Sequence, residues 1–315
     1  MPSGKIRAVI RQRAATATIL RTLLTAVLAL PLGIAACGGK EGGQAPATTT
    51  IQMKGSDTLV NIAQAWAEEY KRVQPSVDVE VSGGGSGVGI AALERGAIDI
   101  ATASRNMKAE ELEQARKNTG KQPREFIVGY DALAVYVNGA NGLSEITEEQ
   151  LAGIFAEGGT VTRWSDIGIT IEGVDDDTIV RVSRQSSSGT YEFFREHMLR
   201  KKDFKLGSRD MNGSKEVVEL VGSTRTAIGY SGMGYATAAV KMLRIAKTAG
   251  EPAYAPSIEN TLSRKYPLAR SLQLYTLGEP EGAVRAFVDW ILSPQGQKIL
   301  EDNGFVSVPA NGPAR

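Results

Sequence analysis

The chain has 315 residues, with 36 basic, 35 acidic, one histidine and one cysteine. One cysteine cannot make a disulfide framework or a thiolate metal site. The net charge of +1 falls to −4 without residues 1–36, which argues against a nucleic-acid binder with its broad basic face, so no nucleic-acid partner is expected.

Residues 1–36 read as an export signal. Lys5, Arg7, Arg11, Arg13 and Arg21 form a positive start. The run "TLLTAVLALPLGIAA" follows, too short for an ordinary membrane span and ending in small residues. Cys37 comes next, and "LGIAAC" resembles a bacterial lipobox, so Cys37 is expected to carry lipid and to anchor the protein to a membrane. The competing reading is an ordinary signal with an incidental cysteine. Residues 37–50, the anchor and "GGKEGGQAPATTT", read as a flexible tether. Without residues 1–36 the chain holds 31 basic and 35 acidic residues, a net −4. A bound anion would then need local donors, since the overall field repels it.

The remainder alternates strand and helix. "IQMKG" reads as a strand and "TLVNIAQAWAEEYKRV" as an amphipathic helix, with Leu59, Ile62, Ala63, Trp66 and Tyr70 at helical spacing. "VDVEV" is a strand, "SGGGSG" a loop and "VGIAALERG" a short helix. "AIDIATAS" is a strand and "KAEELEQARKNTG" a charged surface helix. This pattern predicts an α/β fold, a mostly parallel sheet flanked by helices. "REFIVGYDALAVYVN" is a long strand that carries the chain into a second lobe. That lobe holds "TEEQLAGIF", "TIVRVSR", helices after 188 and 214, and "TAIGYSG". "SLQLYTLG" returns, and two helices broken at Pro294 follow. The expected organisation is lobe 1 over 51–129 plus 270–315 and lobe 2 over 130–269, with the ligand cleft between them.

Polar loops close four of the predicted strands: "GSDT" at 55–58, "GGGSG" at 83–87, Ser104–Arg105, and "RQSSSGT" at 184–190. Three lead into helices, whose first N–H groups are unsatisfied and attract anions. Glycines bring the backbone close, and arginine adds a two-pronged charged donor. Taken one at a time, Ser56, Thr58, Ser188 and Thr190 are ordinary helix caps, and Arg105 and Arg184 surface charges. Taken together they read as an anion clasp. An enzyme is not expected, because a serine nucleophile usually leans on histidine. The only one, His197, lies about two turns past Thr190 on the same predicted helix. "GGGSGV" also lacks the last glycine of a nucleophile elbow, and no nucleotide loop or cofactor motif is present. "DDD" at 175–177 reads as a solvated turn, and the three tryptophans as packing residues.

The segments "GSDTLVNIAQAWAEEY", "VSGGGSGVGIAALERGAIDIATASR", "VGYDALAVYVN", "RQSSSGTYEFF" and "AIGYSGMGY" resemble, in order and spacing, the phosphate-binding proteins of bacterial phosphate-specific ABC transporters. The likeness runs over residues 51 to 310. It implies the two-lobed class II periplasmic binding-protein fold, and an exported receptor, expected to be monomeric, that passes inorganic phosphate to membrane permease subunits. Carried over, the ligand residues would be Ser56 and Thr58 with Asp57 between them, Ser86, Ser104, and Arg184, Ser188, Gly189 and Thr190. At the third strand many relatives have a serine followed by an aspartate that accepts the phosphate proton. This chain has Ser104–Arg105, as does a branch of the resemblance. The acceptor must then lie elsewhere, with Asp131 the first choice and Asp57 the second, unless Asp131 merely bonds backbone at a strand end. Arg105 would be a second cation or a surface ion pair. The competing function is a receptor or sensor for another oxyanion such as sulfate, uncoupled from transport.

Overall fold

The computed structural model describes residues 48–308. The export signal, Cys37 and most of the tether lie outside them. The last two residues expected in the tether, Thr49 and Thr50, already belong to the first strand.

The chain opens with β1 (Thr49–Gly55), α1 (Val60–Val73), β2 (Val77–Ser82), α2 (Ser86–Leu93), β3 (Ile100–Ala103) and α3 (Ala109–Thr119). β1 pairs in parallel with both β2 and β3, as expected for strands joined through helices. α1 buries Ile62, Ala63, Trp66 and Tyr70 along one face. Lys71 and Arg72 sit in its last turn, where they complement the helix dipole. Trp66 is fully buried and donates its indole N–H to Gly296 O at 2.7 Å. That bond satisfies the one polar atom such a side chain brings into a core. The predicted start of α2 was two residues late, because Ser86 and Gly87 are already helical.

β4 (Pro123–Asn138) is 16 residues long. Its first part pairs antiparallel with β11 (Ala269–Leu277), and its last part pairs antiparallel with β8 (Ala227–Gly232) and β9 (Val240–Met242). Between these stretches lie β5 (Glu145–Thr147), α4 (Glu148–Phe155), β6 (Val180–Arg184), α5 (Gly189–His197), β7 (Arg209–Met211) and α6 (Ser214–Ser223). β10 (Arg244–Ala246) and α7 (Ile258–Leu262) follow, and α8 (Gly282–Ile291) and α9 (Pro294–Asp302) close the chain. Pro294 starts α9, where its missing N–H costs nothing.

The result is one nine-stranded sheet in the order β2-β1-β3-β11-β4-β8-β6-β7, with β9 also on β4. β6 pairs in parallel with β7 and β8. The pairings are parallel toward both ends of the sheet and antiparallel at its centre, where the chain crosses on β4 and returns on β11. The register slips by one residue at Leu272/Gln273, leaving Val128 of β4 as the extra residue, a bulge that bends the pair. Two main cores flank this crossing. Ile51, Trp66, Ile100, Val128, Leu272, Phe287 and Leu300 belong to one. Leu133, Val135, Phe155, Trp164, Val182, Phe194, Val218 and Tyr230 belong to the other. No helix of the described residues is long and apolar enough to cross a membrane.

Candidate functional site: a hydroxyl cluster at converging helix starts

Three helices begin at one place. After β1 the backbone turns through Ser56, Asp57 and Thr58 into α1, and none of these side chains caps that helix. Asp57 Oδ1 instead accepts the N–H of Gly84, at 2.8 Å, in the loop before α2. Gly85 of that loop sits at φ 97°. A Cβ there would lie 2.5 Å from Ser187 O, so glycine is what lets the loop before α5 come close. The approach is sealed by Gly87 N donating to Ser187 O and Ser187 Oγ donating to Gly84 O, both at 2.9 Å. At α5, Ser188 is the cap, its Oγ accepting the N–H of Thr190 at 3.1 Å. The Thr190 hydroxyl is thereby left for other partners.

The hydroxyls meet in the interior. Ser56 Oγ donates to Ser104 Oγ at 3.0 Å, and Ser86 Oγ lies 3.4 Å from the same atom. Thr58 Oγ1 and Thr190 Oγ1 are 3.0 Å apart. All five residues are buried, none more than 2% exposed. Gly189 completes the arrangement, since a Cβ on it would fall 2.4 Å from Ser86 Oγ and 2.8 Å from Ser104 Oγ.

Two guanidinium groups border the cluster. Arg184, at the end of β6, is fully buried. Its Nη2 donates to Asp57 Oδ2 at 3.0 Å and to Asn212 O at 2.8 Å, and its Nη1 to Ser214 Oγ at 3.1 Å. Burial pulls its pKa down and Asp57 opposes that. Tyr235 Oη donates to the backbone oxygens of Asp57 and Thr58, both at 3.1 Å. The second guanidinium, Arg270, did not stand out in the sequence. From β11 it donates through Nη1 to Thr190 Oγ1 at 3.1 Å and through Nη2 to Thr58 Oγ1 at 3.3 Å. Its other edge gives Nε and Nη2 to Asp131 Oδ2, at 3.0 and 2.6 Å.

Ser56, Asp57, Thr58, Ser86, Ser104, Arg184, Ser188, Gly189 and Thr190 are therefore brought together. Asp131 lies one layer behind, facing Arg270 and the N–H of Met233. Burial pushes its carboxyl up, and Arg270 opposes that. Arg105 is not in the cluster, because its guanidinium grips Glu111 with two bonds of 2.7 and 2.8 Å. His197 is exposed and stacks on Phe193 at 3.9 Å. Asp176 and Asp177 close a turn with Thr178, Ser165 and Arg163. The sequence carried little signal for Arg270, which precedes the expected strand "SLQLYTLG" and whose partner Asp131 is 139 residues away in the chain.

No imidazole or carboxylate bonds a hydroxyl of the cluster among the described residues, so the hydroxyls are hydrogen-bond donors and acceptors with no base attached. With three helix starts and two guanidinium groups around them, they suit a small oxyanion.

The family model for the PBP superfamily domain matches residues 41–295. The chain belongs to that superfamily. Among PBP superfamily relatives, the phosphate-binding protein PstS of Pseudomonas aeruginosa is 35% identical over 266 residues, covering 81% of this chain and 82% of its own. PstS of Borreliella burgdorferi is 30% identical, covering 82% and 90%. In structure, the chain resembles an ABC transporter substrate-binding protein of Clostridium perfringens solved with bound phosphate. The TM-score is 0.72 and the identity 28%, over 83% of this chain and 100% of the other. An ABC-type phosphate transport receptor of Vibrio cholerae gives 0.65 and 28%, over 81% and 99%.

Proposed function

We infer that this protein is an extracytoplasmic receptor that captures inorganic phosphate in the hydroxyl cluster and delivers it to an ABC permease. The observation that carries the reading is the buried meeting of Ser56, Thr58, Ser86, Ser104 and Thr190 at the starts of α1, α2 and α5, with Arg184 beside them. The names of the relatives point the same way. Ser188 contributes by holding the start of α5, and Asp57 by orienting Arg184. The bodies that close on the ligand are residues 51–129 with 270–315 and residues 130–269. β4 and β11 are the hinge, and a ligand touching both sides favours the closed form. Cys37 carries the lipid that holds the monomeric receptor at the membrane, on the outer side of the cell or in the periplasm.

Titration calorimetry with phosphate on the protein and on Arg184→Ala tests this. Removing a buried charged donor should weaken binding by about 2–5 kcal/mol. Unchanged affinity would place the ligand elsewhere, and absence of phosphate heat in the unaltered protein would sink the receptor reading.

A further inference from the structure

Both carboxylates near the cluster are already engaged. Asp57 gives one oxygen to Arg184 and the other to Gly84 N. Asp131 is fully buried, with Oδ2 on Arg270 and Oδ1 on Met233 N. Asp131 and Arg270 are also directly opposite one another across the β4–β11 ladder. The sheet itself therefore fixes which way the aspartate faces, and it faces the guanidinium. Arg270 in turn faces the cluster, with Nη1 and Nη2 on the two hydroxyls, Thr190 and Thr58, that come from opposite sides of the crossing. Its guanidinium also lies over the Phe193 ring at 5.7 Å, which keeps bulk water off one face.

We propose that Arg270 is a second cationic ligand of the bound anion, held in place by Asp131, and that the site selects phosphate as its dianion without accepting a proton from it. This rests on the phosphate reading above. A carboxylate facing the anion would take a proton from phosphate and repel a fully ionised anion of the same shape. A guanidinium does the opposite, gaining with each negative charge on the ligand. Asp131 is a positioning residue here. It sets the torsion of Arg270 and balances its charge when the site is empty, so that neither group is buried alone.

The test uses calorimetry with phosphate and with sulfate, between pH 5.5 and 8. A cavity of about 430 Å³ beside Arg270 is lined also by Arg105, Lys108, Glu192, Glu196 and His197, and Asp131 lies behind it. These protein groups act on both anions alike. Sulfate stays doubly charged throughout, so the ratio of the two affinities isolates the ionisation of phosphate. That ratio should favour phosphate by about tenfold more per pH unit gained below its second ionisation, and level off above it. Arg270→Gln combined with Asp131→Asn removes both charges together and keeps the interior neutral. It should fold, as judged by circular dichroism, and bind both anions on the order of 100-fold more weakly. Asp131→Asn alone should weaken both by a similar, smaller factor.

A double variant that binds phosphate like the unaltered protein would overturn the ligand role of Arg270. So would a single variant that loses phosphate while gaining sulfate, because Asp131 would then be the proton acceptor. A ratio independent of pH would overturn the selection of the dianion. In each of these cases phosphate still binds the unaltered protein and the receptor reading stands. No phosphate heat at any pH would remove both.

Discussion

Gly189→Ala is the most direct probe of whether the two sides must meet. The added methyl would lie 2.4 Å from Ser86 Oγ, 2.8 Å from Ser104 Oγ and 3.0 Å from Ser86 Cβ. Turning the Ser86 hydroxyl away does not clear the third contact, so the start of α5 must retreat. Bringing the shortest contact to an ordinary separation takes about 1 Å. The same retreat stretches Thr190 Oγ1, now 3.0 Å from Thr58 Oγ1 and 3.1 Å from Arg270 Nη1, beyond bonding range. A ligand held on the far side then loses two or three donors from α5. At roughly 1 kcal/mol for each neutral bond, that is about 3 kcal/mol, or on the order of 100-fold in affinity. The unliganded fold should hardly notice, because parting along the proposed hinge relieves the clash where an overpacked core could not. Calorimetry with phosphate reads the first effect and thermal melting of the unliganded protein the second. Binding within about threefold of the unaltered protein would refute the reasoning, and so would a melting loss as large as that of a core substitution.

Other expectations follow from single contacts. Tyr235→Phe removes the hydroxyl bonded to Asp57 O and Thr58 O and should weaken phosphate binding by roughly 0.5–1.5 kcal/mol, read by calorimetry. Trp66→Ala empties a fully buried site and should cost about 3–5 kcal/mol in denaturant unfolding. Glu111 is pushed up by burial, but its bonds from Arg105 and from the N–H of Lys108 outweigh this and hold its carboxyl below the ordinary value. A depressed carboxyl stabilises the fold above its unfolded pKa and loses that contribution as pH falls through the folded one. Glu111→Gln should therefore lower the melting temperature near neutrality and narrow its gap to the parent under acid, in melts from pH 3 to 7. A gap that widens on acidification would show the sign to be wrong.

Much of this was legible because local chemistry and fold agree. Periodicity marked α1 through Trp66 and Tyr70, and Pro294 marked the start of α9. The loops that close β1, β2 and β6 announced the cluster by composition, since hydroxyls and glycines gather where helix starts need partners. What the chain order hid was pairing. Each loop hydroxyl could have been a cap, and only Ser188 is one. Whether the five of the cluster cap or converge depends on segments up to 132 residues apart, as for Thr58 and Thr190. Arg105 and Arg270 show the same limit from the other side. The first stands next to a site serine and is held away by Glu111. The second is remote in sequence and reaches the cluster because β11 returns beside β4. Only the register of that pair, with Asp131 opposite Arg270, tells them apart.

β4 belongs to both cores at once, with Val128 packed in one and Leu133 through Val137 in the other. Neither core can melt without stripping half of that strand of its neighbours. The strand proposed as the hinge is thus also the tie that makes the two cores fail together, and heat should dissolve the molecule in one cooperative step. Amides in the middle of β4 should be among the last to exchange with solvent deuterium, even in a strand proposed to bend as the hinge.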